Sequence, residues 1–227
     1  MIITIDGPVA TGKSTIAKKL SEELGFIFFD TGAMYRAITC IALEKGIDVD
    51  NVQAMEEFLK VFDFDIKVMR GSKRYFVGDE DVTEKLRSPI VTASVSKVAA
   101  QSCVREKLTA IQRKLAVGVN AVFEGRDMGS VVFPNANLKI FLTGRPEVRA
   151  KRRYEEILRD RPQDAAGLTL DQVLEGLNQR DAYDSARKLS PLKQAPDAFV
   201  VDTSDLTVDE IVLEILEYKD TLKSRKP

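Results

Sequence analysis

The chain contains no histidine. That absence excludes Ser-His-Asp and Cys-His nucleophile systems and histidine-ligated zinc. Acid–base work near neutral pH must fall to carboxylates, lysine, tyrosine or the substrate itself. Chemistry carried out by positioning and electrostatics suits such a chain, and phosphoryl transfer is of that kind. Cysteine is scarce: Cys40 and Cys103 are too few for a disulfide framework or a cysteine metal cluster. Neither sign of charge is in excess, with 34 Lys+Arg against 35 Asp+Glu. That balance argues against a dedicated nucleic-acid binder but leaves room for a local basic pocket around an anionic small molecule. No apolar run approaches the roughly 18–20 residues of a membrane helix, and Met1–Asp6 lacks the basic start and small-residue cleavage site of a signal peptide. The expectation is a soluble, cytoplasmic monomer with no membrane or nucleic-acid partner.

What is present is a chain of 227 residues, 44% hydrophobic, which suits one compact domain with room for an inserted subdomain. Short β-rich apolar runs (Ile2–Ile5, Phe26–Phe29, Val119–Phe123, Leu138–Leu142, Ala198–Val201) alternate with longer amphipathic stretches. Continuous runs of this kind suit strands buried on both faces of a parallel sheet. Helices are expected over Lys13–Leu24, Ala33–Glu44, Val52–Val61, Ala93–Ala116, Glu147–Leu158, Leu170–Ala182 and Val208–Leu222. The alternation predicts an α/β layered fold. One stretch breaks the rhythm. Phe62–Val68, a turn at Gly71-Ser72 and Arg74–Val77 alternate with period two like a β-hairpin, so Phe62–Arg87 reads as an inserted antiparallel subdomain. The polar segment Arg159–Thr169 and the tail Lys223–Pro227 read as mobile.

Gly7-Pro8-Val9-Ala10-Thr11-Gly12-Lys13-Ser14 matches G-x-x-x-x-G-K-[ST], directly after a strand and opening a helix. Two glycines let the backbone curl so that its N–H groups face phosphate oxygens, and the helix N-terminus favours the negative charge. Lys13 would reach the β- and γ-phosphates, and Ser14 would give its hydroxyl to Mg²⁺. Switches, motors and kinases all carry such a loop. A GTPase needs N-K-x-D after a strand and an earlier D-x-x-G. Asn178-Gln179-Arg180-Asp181 and Asp164-Ala165-Ala166-Gly167 follow no strand and are decoys. A motor would also want a hydrophobic strand ending in an Asp-Glu pair, and none is evident.

Arginine supplies the remaining signal. Arg36 follows the second strand and Arg126 the third, where ligands bind in open parallel sheets. Arginine pairs with phosphate in a bidentate, directional way, although a single one of these could equally make a surface salt bridge. Arg149, Arg152 and Arg153 share one helix face, and Arg159 and Arg161 follow. They read either as a lid over a triphosphate or as a solvated basic face.

Ile-Asp-Gly-Pro-x-x-x-Gly-Lys-Ser (5–14), Asp-Thr-Gly-Ala-Met-Tyr-Arg (30–36), Gly-Arg-Asp-Met-Gly-Ser-Val-Val-Phe-Pro (125–134) and Arg-Asp-x-x-Asp-x-x-Arg (180–187) together resemble the bacterial cytidylate (CMP) kinase family over about residues 1–215. The resemblance implies a P-loop kinase three-layer fold: a five-stranded parallel sheet of order 2-3-1-4-5 flanked by helices, a helical lid at about 149–187 and a β-rich NMP-binding insertion at about 62–87. It implies phosphorylation of CMP and dCMP by ATP with Mg²⁺, the alternative being another small-molecule kinase such as a UMP kinase. ATP would be held by residues 7–14 with Thr15 and Arg153, and Ser14 would bind the metal. Thr31, Tyr35, Arg36, Ser96, Arg105, Arg126, Asp127, Arg180, Asp184 and Arg187 would bind CMP, with Lys13, Arg126 and Arg187 catalytic. Arg36, Arg126 and Arg187 fall to the CMP phosphate, Arg180 and Asp184 to the ribose, and Ser96, Arg105 and Asp127 to the base. Cytosine offers an amino donor at N4, which a carboxylate accepts, and N3 and O2 acceptors, which an arginine serves.

Overall fold

The computed structural model describes residues 1–69 and 72–224. In chain order the elements begin with β1 (Ile2–Asp6), α1 (Lys13–Leu24), β2 (Ile27–Asp30), α2 (Thr31–Glu44) and α3 (Val52–Lys60). A run of short strands follows: β3 (Phe64–Met69), β4 (Ser72–Val77) and β5 (Glu80–Asp81), and then α4 (Pro89–Val98) and α5 (Ser102–Leu115). The chain closes with β6 (Ala121–Glu124), β7 (Leu138–Thr143), α6 (Pro146–Asp160), α7 (Leu170–Ser185), β8 (Phe199–Asp202) and α8 (Val208–Ser224). They divide into two compact units, residues 30–117 and the remainder.

Among the described residues, the larger unit holds a five-stranded parallel sheet of order β2-β6-β1-β7-β8. Renumbered along the chain, that is the order 2-3-1-4-5. Ile3, Ile5, Val122, Leu138, Ile140, Leu142 and Val201 point to one face and pack with Ile16 and Leu20 of α1 and Ile211 and Ile215 of α8. Alternate residues leave the other way, where the Phe123 ring lies 4.7 Å from that of Phe29 and 4.5 Å from that of Phe133. Both faces are thus covered, which is why the strands read as unbroken apolar runs. The register Ile5↔Glu124 brings the ends of β1 and β6 level, so that the loops after them start side by side.

The smaller unit packs Met34, Ile38, Met55, Phe58, Val95 and Leu108 into its own core. Its strands form an antiparallel sheet of order β3-β4-β5, with Phe64 opposite Val77 and Met69 opposite Ser72. The hairpin expected from the alternation is present; Gly71 of the expected turn lies outside the described residues, as does much of the expected frayed tail.

One helix expected from the pattern is two. The stretch Ala93–Ala116 is interrupted between Val98 and Ser102, where Gln101 is extended at φ −77° and ψ 135°. Arg105 closes the break, its Nη1 donating to the carbonyl of Ala99 at 2.9 Å, one of the acceptors a helix end leaves without a helical partner. Amphipathic spacing continues across the break, so periodicity alone does not show it. The polar segment after α6 folds into a 3₁₀ turn over Pro162–Ala165. The supposed guanine motif, Asn178–Asp181, lies within α7.

Candidate active site

In the larger unit the phosphate-loop sequence runs from the end of β1 to the start of α1. Gly7 has φ +149°, and a Cβ there would sit 2.3 Å from the carbonyl oxygen of Leu142; only glycine lets β7 approach so closely. Gly12 is left-handed at +83° and caps α1. Ala10 is left-handed as well, at +61°, a conformation that costs a non-glycine residue energy and persists only when its surroundings impose it. Thr11 is buried, and its hydroxyl donates to the Pro8 carbonyl at 3.1 Å. Lys13, also buried, folds back over the loop with Nζ 2.5 Å from the same carbonyl. Burial lowers its pKa to about 7; Arg126 adds to the shift, while Glu124, Asp181 and Asp6 oppose it.

Three carboxylates that had been given no role surround this loop, although Asp6 and Asp181 stand within the 5–14 and 180–187 motifs. Asp6, at the end of β1, accepts the backbone N–H groups of Met128 and Gly129 at 2.8 and 2.7 Å. Its two oxygens thereby hold the turn that follows Arg126 and Asp127. Burial raises the Asp6 carboxyl to about 7 against the pull of those two N–H groups. Glu124 ends β6 and accepts from the Ser14 hydroxyl at 2.7 Å. Asp181 accepts the N–H of Val9 at 3.0 Å. A charged residue closing an apolar strand was the available signal for Asp6 and Glu124. Asp181 stands in the Arg-Asp-x-x-Asp-x-x-Arg run, but nothing local ties it to the loop, which it meets only through α7.

Arg126 and Arg187, two of the arginines expected at the CMP phosphate, converge on one carboxylate. Arg126 Nε donates to Asp184 at 3.1 Å, and Arg187 bonds the other oxygen of the same group. Asp184 is buried to 1% exposure and Asp127 to 2%. Adjacent like charges stay together only around an anion, and the Asp184 carboxylate serves as that anion here. Arg180 lies one turn earlier on α7.

The helix bearing Arg149, Arg152 and Arg153 forms, but its side chains do different work. Arg149 is 5% exposed and bonds Gly144, Val9 and Asp181. Arg152 holds the backbone of Thr203 at 2.5 Å. Arg153 pairs with Glu156 at 2.8 Å. Arg149 and Arg152 thus brace neighbouring backbone, and the buried Arg149 is no part of a solvated face.

In the smaller unit, Asp30 accepts from Ala33 N–H at 2.9 Å and starts α2, which sets Thr31, Tyr35 and Arg36 in its first two turns. Thr31 and Tyr35 are buried. Arg36 donates to the Thr92 hydroxyl at 3.0 Å and to Leu86 O at 3.3 Å. The buried Arg105 guanidinium lies 5.4 Å from the centre of the Tyr35 ring. Ser96 follows Thr92 by four residues on α4, hence on the same helix face.

A phosphate loop with a buried lysine, two arginines drawn together beside it and a 2-3-1-4-5 sheet describe a P-loop kinase fold. The family model for cytidylate kinase matches residues 3–221. A cytidylate kinase of Protochlamydia amoebophila is 63% identical over 227 residues, covering all of both chains. The chain belongs to the cytidylate kinase family. One from Bacillus licheniformis is 43% identical over 221 residues, 97% of this chain and 96% of that protein. Among solved structures, shikimate kinase from Bacteroides thetaiotaomicron aligns over 97% of this chain and 98% of its own at a TM-score of 0.51 and 13% identity, which shows the shared fold. Of the described residues, no helix is long and apolar enough to cross a membrane.

Proposed function

We propose that this kinase transfers the γ-phosphoryl group of ATP to CMP, and to dCMP, giving ADP and CDP or dCDP. Membership of the family carries the acceptor, and the phosphate loop with its buried Lys13 carries the donor. An oxygen of the CMP phosphate attacks the γ-phosphorus in line; the bond to the bridging β–γ oxygen breaks, and ADP leaves. That acceptor phosphate is largely ionised at neutral pH, so a chain without histidine needs no strong general base. Residues 7–15 hold the triphosphate, while Lys13 offsets charge on the transferring group. Arg126 and Arg187 exchange their shared Asp184 for the CMP phosphate, a carboxylate being a fair stand-in for it. Arg36 assists at the same phosphate, Arg180 and Asp184 at the ribose. Thr31 and Tyr35 shape the acceptor side. Arg153, already paired with Glu156, serves ATP only by leaving that partner.

Ser14 and Glu124 place two hard oxygen atoms 2.7 Å apart next to the loop, a donor set that suits magnesium. No group of three metal-binding side chains occurs among the described residues, so the remaining ligands would be phosphate oxygens and water. Ser14 and Glu124 are the residues that would hold Mg²⁺, whose charge would offset that of the triphosphate.

Asp127 accepting from N4, with Arg105 and Ser96 supporting the base, selects cytosine over uracil, whose O4 would set an acceptor against the carboxylate. A coupled assay of ADP release with Mg-ATP and CMP, dCMP, UMP, AMP or dTMP tests the reading. Turnover confined to CMP and dCMP, and lost on chelation of the metal, is expected. Equal turnover with UMP would remove the carboxylate argument, and no turnover with any acceptor would remove the kinase.

A further inference from the structure

Val9, at the crest of the phosphate loop, is held at both of its backbone polar groups. Its N–H donates to Asp181 Oδ1 at 3.0 Å, and its carbonyl accepts from Arg149 Nη1 at 2.9 Å. Arg149 Nη1 also donates to Asp181 Oδ2 at 2.6 Å, which closes a ring of three hydrogen bonds through α6, α7 and the loop. Arg149 Nε takes the Gly144 carbonyl at 3.0 Å, fixing the guanidinium plane at the end of β7. Both side chains are largely buried, at 6% and 17% exposure. Val9 and Ala10 pack with Ala150, Tyr154, Val173 and Leu177 of the same two helices. The next residue is the left-handed Ala10, whose conformation needs a support that outweighs its cost. Asp181 also lies close enough to favour the charged form of Lys13.

We infer that Asp181 and Arg149 are positioning residues for the phosphoryl donor: together they clamp Val9 and hold the phosphate loop in the shape that receives a triphosphate. Neither touches the reacting atoms. The clamp rests on the kinase reading for its role in turnover, but its effect on nucleotide binding is measurable without any acceptor.

The experiment is the dissociation constant of a fluorescent ATP analogue, mant-ATP, in the absence of CMP, for wild type, Asp181→Ala, Asp181→Asn, Arg149→Met and the double variant Arg149→Met/Asp181→Ala. Circular dichroism melts report folding. Asp181→Ala leaves the Val9 N–H without its acceptor and is expected to weaken binding about tenfold. Asp181→Asn keeps one acceptor oxygen and is expected to lose about threefold. Because both side chains hold one residue, the double variant should fall within about twofold of the weaker single variant. In turnover assays the KM for ATP should rise while the KM for CMP stays within about twofold. If Asp181→Ala does not fold, Asp181→Asn decides. A folded variant that binds mant-ATP like wild type overturns the clamp, and so does an equal rise in both KM values, which is what general loosening of α7 would produce. Wild type that binds mant-ATP yet turns over no acceptor would defeat the kinase reading and leave the binding comparison intact.

Discussion

At Asp6 two effects oppose each other: two backbone donors favour the carboxylate, and burial disfavours it, with burial winning so that the group is raised to about 7. Between roughly pH 4 and 7 the folded protein keeps a proton here that the unfolded chain has released. This group's contribution to stability is therefore complete below about pH 4 and is lost as the pH rises through about 7. Asp6→Asn lacks that dependence. Denaturant unfolding of the two proteins across this window should show the stability difference moving in favour of the variant as pH rises; a constant difference would mean that Asp6 titrates normally. Gly7 is constrained by space instead. In Gly7→Ala the new methyl group meets the Leu142 carbonyl at 2.3 Å, so β7 or the loop must shift. A loss of about 2 kcal/mol or more in denaturant unfolding is expected, together with loss of measurable mant-ATP binding. Gly7 and Lys13 were legible as letters in a motif. Asp6 was a letter of the 5–14 motif too, but its role was not legible, because a strand-end aspartate is informative only once the 128–129 turn is seen against it.

Among the elements, α7 does the most varied work. One helical face presents Asp181 to the phosphate loop and, less than a turn later, Asp184 to Arg126 and Arg187. Removing a partner from a buried ion pair leaves charge without compensation. Asp184→Ala should cost about 3 kcal/mol of stability, read by chemical denaturation, and should raise the KM for CMP more than that for ATP. Equal KM values in variant and wild type would place the acceptor elsewhere. The extents of α1, α6 and α7 follow closely from amphipathic spacing, and Pro146 opens α6 as an N-terminal proline should. The break between α4 and α5 escaped that logic because Arg105, which stabilises it, acts from inside the second helix. The same side chain is the arginine expected to read the base, so the residue given that role also shapes the backbone.

At the level of the whole molecule, the larger unit carries the phosphate loop and Arg126 at the ends of parallel strands and Arg187 just after α7, while the smaller unit carries Arg36 on α2 and Arg105 on α5. The proposed base selectivity belongs to this scale, since the residues assigned to it lie far apart in the chain. Asp127→Ala should reduce the ratio of CMP to UMP turnover by at least about tenfold, measured as kcat/KM for each acceptor. An unchanged ratio would assign cytosine recognition to other groups.

Residue order along the chain was enough for the fold class, the strand order implied by family resemblance, the phosphate loop and the list of arginines. These are local or contiguous signals: a strand, a glycine turn and a helix in immediate succession, or an apolar run buried on both faces. Tertiary structure alone decided which charged groups meet. Val9 and Asp181 are 172 residues apart, Ser14 and Glu124 110, Asp6 and Gly129 123. Arg149 became a brace for the same reason: a guanidinium takes whatever acceptors the packing of α6, α7 and the loop brings within about 3 Å, and no spacing rule within one helix specifies those neighbours.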